Sequence, residues 1–365
     1  MAIAISFDRR EATSRFVALT RSRHARIADD MAMLRTAAAL TRDLNSPRPE
    51  VYWVDLVTSC LVGYTALALA MSLASPVLAV IAGAVAILAL YRAGSFIHEL
   101  THIKHSAVAG FRLGWNLLIG IPMMVPSFMY EGVHNLHHAR TRYGTPDDPE
   151  YLPLALMKPW SLPLFIGASL FAPIALLIRF AVLSPLAALF PSVQTVVVAR
   201  YSALSINHAF SRRAPEGALW TQWQLSSAVT SIWAIALLAM VATGVVPLRA
   251  FLIFLAVGSG VAVINQVRTL VAHLWENDGE VMTVTAQYLD SVNVPPPALL
   301  PVLWAPVGLR YHALHHLLPG LPYHALPEAH RRLSKALGAA SLYQRANYRG
   351  LFGLVDRIVR STMLR

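Results

Sequence analysis

The sequence predicts an all-α integral membrane protein with four transmembrane helices in two hairpins, interfacial helices and a cytoplasmic cap. Two features of the composition point to this class: 56% of the 365 residues are hydrophobic, and only 13% are charged. Soluble domains carry about 45–50% apolar and about 25% charged residues. The third observation is that apolar residues form four runs close to the length of a bilayer-crossing helix.

The four apolar runs form two pairs, each joined by a short segment that is typical of a hairpin tip. Basic residues lie at the other ends of the runs. Because basic loops stay in the cytoplasm, we expect both tips outside and both termini inside. The runs cover residues 51–74, 77–91, 223–241 and 248–267.

The formal net charge of +11 arises from 30 Lys and Arg residues against 19 Asp and Glu residues. These basic residues form no aromatic-studded patch, so we expect no nucleic-acid partner. An anionic cytoplasmic leaflet accounts for the excess. The single cysteine, Cys60, excludes a disulfide within the chain and a cysteine-based metal site. No signal peptide is expected at the N-terminus.

Eight of the 14 histidines lie in three clusters with regular spacing. Offsets of three, four and seven residues return side chains to one face of a helix. Neutral imidazole binds iron, zinc, copper and nickel, and ionisable residues beside membrane segments usually mark function. Eight nitrogens exceed the needs of one ion, so the sequence predicts two metal ions. The clusters are His98-Glu99-Leu100-Thr101-His102, His134-Asn135-Leu136-His137-His138 and His312-Ala313-Leu314-His315-His316.

These clusters resemble the histidine boxes of the membrane fatty acid desaturase family, the histidine-box di-iron enzymes. The boxes occur in the family's order, with one apolar hairpin before the first and another between the second and third. The stretches 144–151 and 318–324 fit the family as well, and the resemblance covers about residues 50–335. It implies that eight histidines bind two iron ions: His98, His102, His134, His137, His138, His312, His315 and His316.

Further candidates surround these eight residues. His273 follows the fourth apolar run and fits the place of a ninth ligand that is common in the family, while His105 extends the first cluster. Carboxylates near the boxes are candidates for orienting imidazoles through their free N–H groups; they are Glu99, Glu131, Asp147, Asp148, Glu276 and Asp278. Aromatic candidates for an acyl tunnel are Trp115, Phe128, Tyr130 and Trp304.

The resemblance implies an oxygen-dependent desaturase that introduces a double bond into a lipid acyl chain by sequential hydrogen abstraction. Two irons and dioxygen supply this chemistry, so no catalytic side chain is expected beyond the metal centre. The substrate would come from the membrane. Because no His-Pro-Gly-Gly haem motif is present, electrons would come from a separate ferredoxin, rubredoxin or cytochrome. Hydroxylases and ketolases that act on alkyl chains, sterols or carotenoids use similar boxes and form the main alternative.

Two other classes are more distant. Residues 98–102 read HExxH, the motif of zinc proteases, and Asn277-Asp278-Gly279 resembles a distal element of intramembrane metalloproteases. That interpretation leaves the second and third clusters unexplained. A membrane metal transporter would place its ligands within the spanning helices, whereas these lie just beyond the apolar runs.

A shared metal centre requires an even number of crossings between any two boxes. We therefore expect Leu113–Tyr130 to lie in the interface or to dip in and return. We expect Ser161–Phe190 to be interfacial, with a double crossing as the alternative. The predicted domains are a cytoplasmic Arg-rich N-terminal extension, a desaturase-like membrane domain and a cytoplasmic C-terminal tail. They cover residues 1–50, 51–335 and 336–365.

Overall fold

The computed structural model describes residues 27–363. Within this range the chain forms helices and three isolated β-bridges, and it contains no strands. The predicted all-α class is thus confirmed. The first helix, α1, covers Met31–Leu40 and lies inside the predicted N-terminal extension. The Asp30 carboxylate caps it by accepting hydrogen bonds from the backbone N–H groups of Ala32 and Met33.

The first hairpin consists of α2 (Pro49–Ser72) and α3 (Pro76–His102). Each helix begins with proline, which fits the first turn because that position needs no N–H donor. The two helices pack closely where Gly63 meets Leu90, since a Cβ on this glycine would lie 2.7 Å from the leucine side chain. Small residues at such contacts let membrane helices approach each other.

The segment between the first two boxes bends back on itself. It contains the short helix α4 (Phe111–Trp115) and a π-helical turn, Asn116–Gly120. The Asn116 side chain accepts a hydrogen bond from the Ser127 backbone N–H and donates one to the Ser127 hydroxyl, both at 2.8 Å. Asn116 and Ser127 therefore lie side by side. Helix α5 (His134–His137) follows and carries the second box.

Residues 161–189, which are expected to be interfacial or to cross twice, form one helical run with two irregular turns, and their position relative to the membrane stays a prediction. A 3-10 turn and a π-helical turn separate its three α-helical parts, and Arg179 in the second turn donates a hydrogen bond to the Tyr201 carbonyl at 2.7 Å. The following helix thus returns to the level of Arg179. These helices are α6 (Ser161–Gly167), α7 (Ala172–Ile178), α8 (Ser184–Leu189) and α9 (Pro191–Tyr201).

The second hairpin consists of α10 (Gly217–Ala242) and α11 (Leu248–Leu270). Together with α2, α3 and the run Ser161–Leu189, five helical segments of the described chain are long and apolar enough to cross a membrane. The run Ser161–Leu189 packs across the middle of the second hairpin. There the Ser231 hydroxyl donates to the Phe180 carbonyl, and the Ser259 hydroxyl donates to the Leu170 carbonyl. The protein is a multi-pass membrane protein, while the count of four crossings stays a prediction.

The remaining helices form a cap over the ends of the two hairpins. Its apolar core joins α1 to the C-terminal region through buried residues such as Met33, Leu314 and Tyr343. The predicted C-terminal tail contributes Leu354 and Ile358, which are buried against the chain that follows the second box. The cap helices are α12 (Val284–Asp290), α13 (Pro301–Trp304), α14 (His312–Leu317), α15 (Leu326–Leu337) and α16 (Leu351–Met363).

Candidate metal centre

Nine histidines meet where the hairpins join the cap, and they divide into two groups. Within each group the candidate ligand nitrogens all lie within 4.8 Å of one another. The first group contains five residues, two of them half-buried, and all four residues of the second group are buried. The first group is His98, His102, His134, His138 and His315. The second group is His137, His273, His312 and His316.

Helical spacing explains how the second and third boxes divide between the groups. In the second box, His134 and His138 are four residues apart and both belong to the first group, whereas His137 belongs to the second. The third box has the opposite arrangement, since His312 and His316 belong to the second group. Each box therefore contributes an i, i+4 pair to one group and its middle histidine to the other.

The nitrogen separations fit metal ligation. Two nitrogens that bind one ion at about 2.1 Å and at a right angle lie about 3 Å apart. The Nε2 atoms of His134 and His138 are 3.0 Å apart in the first group. Those of His273 and His312 are also 3.0 Å apart in the second. Each group therefore has the spacing of a ligand set for one ion.

The protonation of the imidazoles also fits ligation. Burial lowers the pKa of His134, His315 and His316 well below the ordinary value, so these rings are neutral. A neutral ring has one N–H and one lone pair, and a metal binds the lone pair. Neither ring nitrogen of His98 has a hydrogen-bond partner among the described residues, although both are buried. A metal ion would satisfy one of them.

Two histidines of the second group form hydrogen bonds through Nδ1 to buried oxygen atoms of residues outside the group. The Asp148 carboxylate accepts a hydrogen bond from His137 Nδ1 at 2.9 Å. Tyr143 accepts from His273 Nδ1 at 2.9 Å and donates its own hydroxyl hydrogen to Asp290 at 2.7 Å. Because the hydrogen of each ring then sits on Nδ1, the Nε2 lone pair faces the other histidines.

One histidine of the first group is held in a similar way. His134 Nδ1 lies 2.9 Å from a Glu150 carboxylate oxygen and 2.9 Å from the Tyr130 hydroxyl, which itself donates to Glu150 at 2.7 Å. Burial raises the pKa of Glu150 to about 7. A cation bound by His134 would favour the ionised carboxylate, because opposite charges within a few ångströms lower the pKa of an acid.

A cavity of about 1120 Å³ adjoins the first and second boxes and the start of α10. Residues next to the ligands line it, among them Thr101, Asn135 and Leu136. The charged side chains along its wall are mostly basic: Arg112, Arg142, Arg212 and Arg213, against Glu131 and Asp147. The metal centre therefore lies beside a broad cationic opening.

Comparison with known proteins decides the family. A family model described as fatty acid desaturase matches residues 71–348. The chain belongs to the fatty acid desaturase family. A curated ceramide hydroxylase of Caulobacter vibrioides (strain NA1000 / CB15N) is 48% identical over 337 residues, which are 92% of this chain and 95% of that protein. No solved structure matches the chain.

Family membership and geometry together support a di-metal site, and they leave the two distant alternatives without support. The HExxH segment supplies only two of the five histidines in the first group. Its Glu99 accepts hydrogen bonds from the Tyr52 hydroxyl and the Tyr323 backbone N–H, and the nearest ring nitrogen of His98 is 3.8 Å away. Asn277 donates to the backbone carbonyls of Gly144 and Glu280. Neither residue is arranged as part of a protease.

Other predicted members of the desaturase centre lie outside the two groups. His105 is exposed and lines the cavity, and Asp278 is exposed in the loop after His273. Of the carboxylates, Asp148 contacts a candidate ligand, whereas Asp147 is exposed. The carboxylate of Glu131 pairs with Arg112, and that of Glu276 pairs with Arg357.

The four aromatic candidates for a tunnel lie in different parts of the structure, and their part in a tunnel stays a prediction. Trp115 is buried in the packing of the first hairpin, and Phe128 lies against Trp223. Tyr130 contacts His134, as described above. Trp304 is half-buried, and its indole N–H has no hydrogen-bond acceptor among residues 27–363.

Sequence reasoning missed three residues that orient the candidate ligands, namely Glu150, Tyr143 and Asp290, and it missed the buried Arg268 beside His312. Glu150 stands in the stretch 144–151 that already matched the family pattern, so its place two residues after Asp148 was an available signal. Tyr143 and Asp290 are 147 positions apart, and no local pattern joins them.

Proposed function

We propose that this protein hydroxylates an alkyl chain of a ceramide-type lipid, using two iron ions and dioxygen. The 48% identity to a ceramide hydroxylase across almost the full length of both chains is the observation that carries this proposal. Hydroxylation is also the main alternative that the histidine boxes imply. In the overall reaction, one oxygen atom enters a C–H bond and the other leaves as water, with two electrons and two protons supplied through an external donor.

Each histidine group would hold one iron. The irons, when bound, supply the reduction of dioxygen that the attack on an unactivated C–H bond requires. The chain itself orients the imidazoles: Asp148 fixes His137, and the Tyr143–Asp290 pair fixes His273. Such outer contacts typically change metal affinity by about 10- to 100-fold.

The cationic cavity supports an acidic electron-transfer protein, such as a ferredoxin, as the donor. Arg142 and Arg213 are exposed at its wall and close to the residues that flank the boxes. Oppositely charged surfaces steer association between proteins. With the basic residues in the cytoplasm, both termini and the metal centre would lie on the cytoplasmic side.

Desaturation of an acyl chain is the second candidate, and the family model, described as fatty acid desaturase, is the observation that favours it. The histidine geometry serves both reactions, because both begin with hydrogen removal from an alkyl carbon. The products distinguish them: hydroxylation adds one oxygen atom to the lipid, whereas desaturation removes two hydrogen atoms.

The test is lipid mass spectrometry of a ceramide-producing host that expresses the chain, with a His315→Ala variant as the control. We expect a ceramide carrying one additional oxygen atom only with the intact protein. A ceramide or other lipid that loses two hydrogens would establish desaturation instead. An unchanged ceramide pool in cells that contain iron-loaded protein would refute the hydroxylase proposal.

A further inference from the structure

The buried side chain of Arg268 lies beside the second histidine group, and its Nε–H has no acceptor among the described residues. Arg268 lies in the last turn of α11 and is only 8% exposed. Its Nε atom is fully buried and has no hydrogen-bond partner among the described residues. Burying an unpaired polar group costs free energy, because the group loses its bonds to water. A guanidinium in this position therefore points to a ligand that supplies an oxygen atom.

His312 adds a second donor at the same place. Its Nε2 lies 3.0 Å from His273 Nε2 and 3.2 Å from His316 Nε2, inside the second group. When Nε2 binds a metal, the ring hydrogen sits on Nδ1. Nδ1 is 3.5 Å from an Nη atom of Arg268, which is also a donor. Two donors that face each other need an acceptor between or beside them.

Trp304 supplies a third donor at the junction of α3, α11 and α13. Its buried indole N–H has no partner among residues 27–363, and its carbonyl accepts the Tyr91 hydroxyl at 3.0 Å. The residues just before it are apolar and exposed, including Leu299 at 82% and Leu300 at 59%. In a membrane protein such a surface faces lipid.

We propose that Arg268, with His312 Nδ1 and Trp304 Nε1, binds an oxygen acceptor of the lipid's polar part, such as the amide carbonyl of a ceramide. This inference rests on the proposed function. A group held at His312 Nδ1 lies one imidazole ring away from the nitrogen that binds the metal. The lipid's alkyl chain is therefore oxidised within a few carbons of the polar group, rather than near the middle of a long acyl chain.

The experiment measures the position of the new hydroxyl and the affinity for ceramide. Tandem mass spectrometry of the product locates the hydroxyl. Binding of a short-chain fluorescent ceramide to purified protein in nanodiscs gives an affinity that does not depend on turnover. The variants are Arg268→Gln, Arg268→Lys and Trp304→Phe. Trp233→Phe is the matched control, because its half-buried indole already donates to the Pro122 carbonyl.

We expect a wild-type hydroxyl within a few carbons of the amide. Arg268→Gln should weaken ceramide binding by about tenfold or more and Trp304→Phe by about fivefold, as expected for losing a charged and a neutral hydrogen bond. Trp233→Phe should bind as the wild type does. Arg268→Lys retains the charge and should recover part of the affinity. Iron content is measured for every variant, so that a loss of metal is distinguished from a loss of lipid binding.

Two results would overturn the inference alone: a hydroxyl near the middle of the lipid's alkyl chain, or wild-type ceramide affinity in Arg268→Gln and Trp304→Phe. The second result would mean that water satisfies these donors. If iron-loaded wild-type protein neither binds nor oxidises ceramide, the proposed function fails, which is a separate outcome.

Discussion

The two histidine groups differ in how firmly the protein holds them. In the second group all four residues are buried, and His137 and His273 donate hydrogen bonds to buried oxygen atoms. In the first group His102 and His138 are half-buried, and the boxes that carry them border the cationic cavity. In the first group only His134 has a comparable partner, Glu150, so the second group is the more firmly held and the first lies nearer to solvent.

This difference assigns separate tasks to the two metal positions. Ligands that are held from outside retain their orientation when the metal changes its other partners. A site next to an opening exchanges protons, electrons and water more readily. We therefore expect the second position to fix the centre and to hold the substrate through Arg268, and the first to communicate with the donor.

Removing one ligand from each group should have the largest effect. His138→Ala and His273→Ala should each lower hydroxylation by more than about a hundredfold, because even the outer partners of ligands contribute up to about that factor. Iron content should fall from about two to about one ion per chain in each variant. Elemental analysis and product quantification provide the measurement.

His105→Ala is the matched control for this pair, since His105 is exposed and lies outside both groups. It should retain both metals and activity within about twofold, as for other exposed substitutions. A loss of iron in His105→Ala, or full iron content in His273→Ala, would contradict the assignment of ligands.

Asp148→Asn should have the next largest effect and should act on the second group. The fully buried carboxylate accepts from His137 Nδ1 and from the Gly144 and Glu150 backbone N–H groups. The amide keeps the shape but loses the charge, so we expect iron affinity to fall by about tenfold or more. Titration of metal-free protein with ferrous iron measures this.

Asp147→Asn changes the adjacent carboxylate, which is exposed and has no hydrogen bond or ion pair with a histidine of residues 27–363. It should titrate like the wild type. If the two variants titrate alike, Asp148 does not control the metal, and its role is confined to the turn that it caps.

How far the sequence could predict this centre depends on the distance over which each contact acts. Spacing within a box is local, so the sequence predicts the eight box histidines of the two groups, whereas His273 follows only from the family resemblance. Composition and apolar runs likewise predicted helices and the two hairpins. The carboxylates were harder, because Asp148 and Asp147 are equivalent as sequence but only one is buried.

Two further features depend on packing between distant segments. Tyr143 contacts Asp290 only because the cap packs against the chain that follows the second box. The run Ser161–Leu189 stays helical along its length, although it contains irregular turns near Ala168 and Arg179. Hydropathy alone could not predict this conformation. Proline at positions 163, 173 and 185 suggested interruptions, yet helices accommodate proline near the start of a segment.

A chelator should remove iron from the two groups at different rates. We expect two phases, with the half-buried first group losing its ion about tenfold faster, because opening of the buried second group requires local unfolding. Loss of iron, followed by absorbance of the chelate, should be accompanied by loss of activity in the fast phase. In His273→Ala, only the fast phase should remain. A single phase in the wild type would mean that the groups do not differ in access.

Charge reversal in the cavity should have the smallest effect. Arg142 and Arg213 are exposed in its lining, so an Arg142→Glu, Arg213→Glu double variant repels an acidic donor without touching a histidine. Ferredoxin-supported turnover should fall about fivefold at low salt, and the difference should shrink as salt screens exposed charges.

Arg345→Glu is the control for charge alone, because Arg345 is exposed but does not line the cavity. It should leave ferredoxin-supported turnover within about twofold. Turnover driven by a small chemical reductant should be equal in all three proteins, since such a reductant needs no docking surface. An equal fall with the chemical reductant would show that the cavity arginines act on the metal centre itself, and the division of tasks between the two groups would then be wrong.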